Sequence, residues 1–222
     1  MDDRKLQIFI DSLLPLLKAG VAFTIPLTLI SFVLGLTLAI LTAIARLSGW
    51  RVLRLIARFY VWIIRGTPLL VQLFIIFYGL PAVGVTLGPF PAAVIGFTLS
   101  VGAYGSEIIR AAILSIDQGQ WESAYSLGMT RMKTMRFIIL PQAARVAVPS
   151  LGNSFISLVK DTSLAAMVTY TEMFRKAQQI TSTTYEPLLV YSEAALIYLL
   201  FSTVLSTLQN RLEKRLDRST AR

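Results

Sequence analysis

Residues 19–45, AGVAFTIPLTLISFVLGLTLAILTAIA, form a run of 27 residues without one charged side chain. A helix crossing the hydrocarbon of a bilayer needs about 20 apolar residues. This stretch is long enough to cross once and too long for the core of a cleaved signal peptide. The whole chain agrees with a lipid environment. Only 15% of its 222 residues are charged, against about 25% in a soluble domain, and its mean hydropathy is +0.67. There is no cysteine, hence no disulfide framework or thiolate chemistry. There is no histidine, so the commonest metal ligand and acid–base catalyst are both missing. No metal, bound cofactor or catalytic residue is expected. The net charge of +9 is better explained by basic loops facing the cytoplasm than by nucleic acid.

Four further stretches read as spans: 59–80, interrupted by Arg65 and Thr67-Pro68; 89–114, with Glu107 and Arg110; 146–171, with Lys160 and Asp161; and 187–208, with Glu193. The expected fold is an all-α integral membrane protein of five transmembrane helices, one domain over 1–222. Residues 1–18 form an interfacial segment in this reading, the alternative being an extension of the first span. With the N-terminus outside, the segments 46–65, 110–145 and 211–222 face inward and hold fifteen of the 21 Lys and Arg residues. This positive-inside bias puts the C-terminus in the cytoplasm of a multi-pass inner-membrane protein. Small residues four apart, Gly35 with Ala39, Ala39 with Ala43 and Gly96 with Ser100, predict close helix contacts.

The cytoplasmic loop 117–141 carries WESAYSLGMTRMKTMRFIILP. It predicts a short helix over 121–127, a turn at Gly128, where the missing Cβ permits it, and a second short helix interrupted or followed by a new element at Pro141. Small side chains at Ser123 and Ala124 would seat in a partner's groove, and Glu122 would meet a basic residue there. The spacing of Glu122, Ala124, Gly128, Ile138, Leu140 and Pro141 resembles the EAA motif of bacterial ABC importer permeases, with Ser123 in place of one alanine. The runs RGTPLLVQLF at 65–74, LPQAARVAVPSLGNSFISLVKDTSLA at 140–165 and TLQNRLEKRL at 207–216 resemble the polar amino-acid subgroup, and NSFISLVKDTSLAA is very similar to the cystine-type permeases. The resemblance implies a type I importer permease in which Glu122, Ser123, Ala124, Gly128, Leu140 and Pro141 form the coupling helix that inserts into an ATPase. It also implies three partners: an ATP-binding subunit dimer carrying ATP and Mg, an extracytoplasmic solute-binding protein and a second permease chain, a homodimer before a heterodimer.

A charge at bilayer centre costs roughly 2.5–3.5 kcal/mol on insertion scales. Lys160 and Asp161 therefore predict a broken or cavity-facing helix, with one group for each end of an amino-acid zwitterion, or else a structural ion pair with other helices. Gln72, Asn153, Thr162 and Ser163 would add neutral hydrogen bonds. Permeases for basic amino acids often carry glutamate where this chain has Ser154, so the resemblance points to a neutral polar substrate such as L-cystine or glutamine. Glu107 and Arg110, three apart on one face, pair as a structural or gate contact. No phosphate-binding G-x-x-x-x-G-K-[ST] loop is present, so this chain is expected to be a transport subunit and not an enzyme. The alternative is a secondary transporter or channel using Lys160, Asp161 and Glu193 to handle ions. An intramembrane enzyme would need paired aspartates, and only Asp161 lies in a span.

Overall fold

A computed structural model describes residues 3–218, with side chains to residue 214. The tail cations Arg215, Arg218 and Arg222, counted above for orientation, lie outside the described side chains. Among the described residues every regular element is helical.

The first span starts earlier than its charge-free run. Helices α1 (Asp3–Ala19) and α2 (Ile25–Leu47) are joined by a π-helical turn at Gly20–Thr24 into one run of 45 residues. Residues 3–18 of the segment expected to be interfacial are thus helically continuous with the span, as in the alternative reading. The π turn also marks a close contact. A Cβ on Gly20 would lie 2.8 Å from the Phe201 ring and 3.3 Å from the Met173 sulfur. Leu16, Met173, Val190 and Ala194 bury together around it.

The glycine–alanine spacing does what it predicts. A Cβ on Gly35 would sit 2.5 Å from Val101, and one on Gly105 would sit 2.9 Å from the Ala39 Cβ. Helix α2 therefore lies backbone-close to α5 (Pro89–Leu114), with Ala39 and Ala43 fully buried. Dispersion holds such pairs in lipid, where apolar burial gives no drive.

The span expected over 59–80 is two helices. Helix α3 (Arg51–Gly66) and the following run, α4 (Leu69–Phe74) with its π and 3₁₀ continuation to Val83, meet at 105°. The sequence GTP predicts a kink; the bend is nearly a right angle because Thr67 and Pro68 are both extended. Pro68 has no N–H for the Ile64 carbonyl and disfavours α at Thr67. Gln72 supplies the missing donor, its amide bonding the Ile64 carbonyl at 2.8 Å, the Thr67 carbonyl at 3.1 Å and the Thr67 hydroxyl at 2.9 Å.

After α6 (Gln118–Ser126), α7 (Arg131–Thr134) runs through a π turn at Met135–Ile139 into α8 (Leu140–Asp161) without interruption. The second short helix expected in the loop is therefore the foot of a long one. Pro141 directly follows the π turn, in which the Leu140 amide bonds the Met135 carbonyl five residues back, and this wider turn lets a residue without an N–H sit in the continuous run. Regular helix stops at Asp161 and 3₁₀ turns continue to Val168, so the expected 146–171 span is a broken helix. Glu172, fully buried, then caps α9 (Met173–Thr184), accepting from the Phe174 and Arg175 amides at 2.8 and 2.7 Å and from the Tyr198 hydroxyl at 2.7 Å. Helix α10 (Pro187–Arg218) closes the bundle.

Among the described residues three helical runs, 3–47, 89–114 and 187–214, are long and apolar enough to cross a membrane, and the bent pair makes four when taken as one crossing. Helix α8 does not reach that apolarity, since Arg145, Lys160 and Asp161 lie on it.

Candidate transport cavity and coupling turn

Helix α8 carries polar side chains at 153, 154, 157 and 161, a spacing that places them along one face. Asn153, Ser154, Ser157 and Asp161 line a cavity of about 430 Å³, whose other walls are Phe32 of α2, Leu69 of α4, and Ser100 and Tyr104 of α5. Among the described residues Asp161 is its one ionic group. Lys160, one residue earlier, lines a different cavity of about 490 Å³ with Ser163, Tyr191, Tyr198 and Ser202. Adjacent helical side chains diverge by about 100°, and the structure brings no carboxylate among the described residues within ion-pair distance of Lys160. The two charges of one chain therefore open into different cavities.

The neutral residues expected beside them divide. Ser154 faces the cavity while its hydroxyl donates to the Ser150 carbonyl at 3.0 Å. Thr162 is fully buried and its hydroxyl donates to the Val159 carbonyl at 2.6 Å; Ser163 donates to the Lys160 carbonyl at 2.7 Å. Both hydroxyls satisfy carbonyls left over where α8 tightens into 3₁₀ turns. Gln72 is spent at the α3–α4 bend and does not line the cavity. Ser100, Ser157 and Tyr104 line it without having been expected there. Ser157 was legible as four residues from both Asn153 and Asp161, whereas Ser100 and Tyr104 arrive through the packing of α5.

Glu107 holds more than Arg110. Its Oε1 accepts from Arg110 Nη2 and, at 3.1 Å, from Arg110 Nε. Its Oε2 accepts from Arg46 Nη1 of α2 at 2.5 Å and lies 3.8 Å from Arg65 Nη1 of α3. One carboxylate thus ties three helices, and the Arg65 guanidinium sits 5.2 Å from the centre of the Tyr104 ring. Arg46 and Arg65 were not legible as partners because they are 61 and 42 residues from Glu107.

The turn follows the C-terminal end of α5, just beyond the Glu107–Arg110 pair. Asp117 caps α6 by accepting from the Gly119 amide at 2.6 Å. Gly128, at φ +73, closes the helix: its amide bonds the Tyr125 carbonyl at 2.9 Å, and the Met129 amide bonds the Ala124 carbonyl at 3.1 Å. This paired pattern requires a left-handed residue, which glycine supplies without strain. Trp121, Ile116 and Met135 pack on a core of Ile113, Ile139 and Ala143. Ala124 is buried against its own chain, so it seats α6 and is not available to a partner's groove, as its small size had suggested. Glu122, Ser123, Gly128, Leu140 and Pro141 are exposed, as are the large apolar side chains of Tyr125, Leu127 and Met132.

Residues 35–218 match the family described as binding-protein-dependent transport system inner membrane component. The chain belongs to this family. The permease is 56% identical over 209 residues to the L-cystine transport system permease protein TcyB of Bacillus subtilis (strain 168), covering 94% of this chain and 89% of that protein. It is 37% identical to the glutamine transport system permease protein GlnP of Escherichia coli (strain K12), covering 91% and 94%. Its fold matches a chain of a crystal structure of an amino acid ABC transporter with histidines, with a TM-score of 0.87, 37% identity and coverage of 90% and 94%. A chain of the inward-facing MetNI methionine ABC transporter shares the fold at a TM-score of 0.69 and 19% identity. The permease is thus a type I ABC importer transmembrane subunit, multi-pass in the inner membrane, and ATP hydrolysis belongs to a separate ATP-binding subunit.

Proposed function

We propose that this permease imports L-cystine or a closely related neutral polar amino acid, with the Asp161 cavity as part of the substrate path. The observation that carries the reading is that cavity: a single carboxylate among the amide of Asn153 and the hydroxyls of Ser100, Ser154 and Ser157. A carboxylate receives an ammonium group, and the neutral donors and acceptors beside it suit a polar substrate of zero net charge, as glutamine is and as cystine is with its two zwitterionic ends. The 56% identity to an L-cystine permease supports the substrate. ATP and Mg remain on the ATPase, which docks on the exposed side of α6 around Glu122, Ser123 and Leu127. A second copy of the chain completes the path, and a solute-binding protein delivers substrate to the outer surface formed by 81–90 and 172–186. The N-terminus lies outside and the C-terminal tail inside.

The test is uptake of labelled L-cystine into proteoliposomes holding the permease, its ATP-binding subunit and its binding protein. Uptake is expected only with ATP inside and is expected to be competed by unlabelled L-cystine. Uptake driven by an ion gradient through this chain alone would overturn the reading.

A further inference from the structure

The cavity around Asp161 offers a partner for an ammonium group and, among its lining residues, no cation for the α-carboxylate that every amino acid also carries. Lys160 does not supply one, since it opens into the other cavity. Arg65 does not line the cavity itself, but its guanidinium lies over the ring of Tyr104, a lining residue. Resting on the reading of the cavity just proposed, we infer that Arg65 is the substrate's carboxylate partner and sets the requirement for a free α-carboxylate.

Three observations converge on Arg65. First, it has charge to spare. Glu107 is already occupied by Arg110 on one oxygen and by Arg46 at 2.5 Å on the other, and Arg65 stands off at 3.8 Å. One carboxylate facing three guanidiniums leaves two positive charges unneutralised within the cluster. Second, Arg65 is the most open of the three. Its side chain is 42% exposed, against 14% for Arg46 and 30% for Arg110. Third, it is placed at a joint. It sits one residue before the Gly66-Thr67-Pro68 bend, and Leu69, just beyond the bend, lines the cavity. A guanidinium offers a planar fork that fits a carboxylate with two parallel hydrogen bonds, which an ammonium does not. The Tyr104 face keeps the fork oriented while the substrate is absent. Asp161 on α8 and Arg65 on α3 then grip opposite ends of one zwitterion, and release of the carboxylate returns Arg65 to Glu107.

The experiment is equilibrium binding to the purified permease–ATPase complex in nanodiscs, without the binding protein, which has its own selectivity. The probes are L-glutamine against its α-carboxamide and L-cystine against its bis-α-carboxamide, in which both α-carboxylates are replaced. The wild-type complex is expected to prefer the free acid by on the order of tenfold, the size of one charge-assisted hydrogen bond. Arg65→Gln is expected to bring that preference to within about twofold, and Arg65→Lys to restore part of it. Asp161→Asn is expected to weaken acid and amide alike and leave their ratio unchanged. A purely structural Arg65 would weaken both ligands equally, so an unchanged ratio in Arg65→Gln overturns the assignment. If Asp161→Asn still weakens both, the cavity reading survives that result. If the wild-type complex binds none of the probes, or if Asp161→Asn also has no effect, the cavity reading itself fails and Arg65 with it.

Discussion

Asp161 and Lys160 are neighbours in the chain and line different cavities, Asp161 the one walled by Asn153 and Tyr104, Lys160 the one walled by Tyr191 and Tyr198. The divergence follows from the helix, which turns each successive side chain by about 100°. It assigns the two charges separate work. Asp161→Asn is expected to lower the initial rate of ATP-driven uptake by at least about tenfold, the cost of losing a charged hydrogen-bond partner. Lys160→Ala is expected to stay within about threefold. Uptake rates at matched membrane levels check this, and equal losses would return both residues to one site.

The packing of α2 on α5 has no room for a side chain at Gly35, where a Cβ would meet Val101 at 2.5 Å. Gly35→Val is expected to destabilise the permease by about 1–3 kcal/mol, the usual cost of overpacking, read as a lower melting temperature in detergent. Gly49→Ala, with nothing within 4 Å of the added carbon, is the control and is expected to change little.

Gln72 is the keystone of the α3–α4 bend. Its amide covers the Ile64 and Thr67 carbonyls, which Leu at the same volume would leave bare. Gln72→Leu is expected to cost about 1–3 kcal/mol, the desolvation penalty of buried acceptors left unmade. Thermal unfolding measures the loss, and a variant as stable as the wild type would show that water satisfies those carbonyls equally well.

Glu107→Gln leaves Arg46, Arg65 and Arg110 facing one another without a counter-charge. The site is partly exposed, so the expected loss is discounted from that of a fully buried pair to roughly 1–3 kcal/mol. The loss is expected to shrink when Arg110→Gln is added, because the second change removes one of the repelling charges. Melting temperatures of the two variants settle the sign.

Local chemistry made much of this fold legible. The charge-free run at 19–45, the small-residue spacing along α2 and the glycine after α6 each name a structure through one mechanism: hydrocarbon thickness, backbone approach and a left-handed cap. The 153–154–157–161 stripe was half read, since Ser157 fits the same period as its neighbours. What stayed hidden depends on distant chain. Arg46 and Arg65 reach Glu107 only after three helices pack, and Tyr104 becomes a wall only where α5 faces α8. Gln72 reads in the sequence as one of the neutral hydrogen-bond partners of a substrate. The carbonyls that Pro68 strands nearby explain it better. The small size of Ala124 suits a partner's groove, yet burial against its own chain decides its role.

Whether α6 seats a separate ATPase is tested most directly by Glu122→Lys together with Gly128→Asp. Both positions are exposed, and Gly128 holds the left-handed cap on which the shape of the turn depends. The measurement is paired: ATP hydrolysis and L-cystine uptake in the same proteoliposomes, at equal permease content. Uptake is expected to fall to background, with hydrolysis no longer stimulated by loaded binding protein. Full ATP-dependent uptake by both variants would contradict the account.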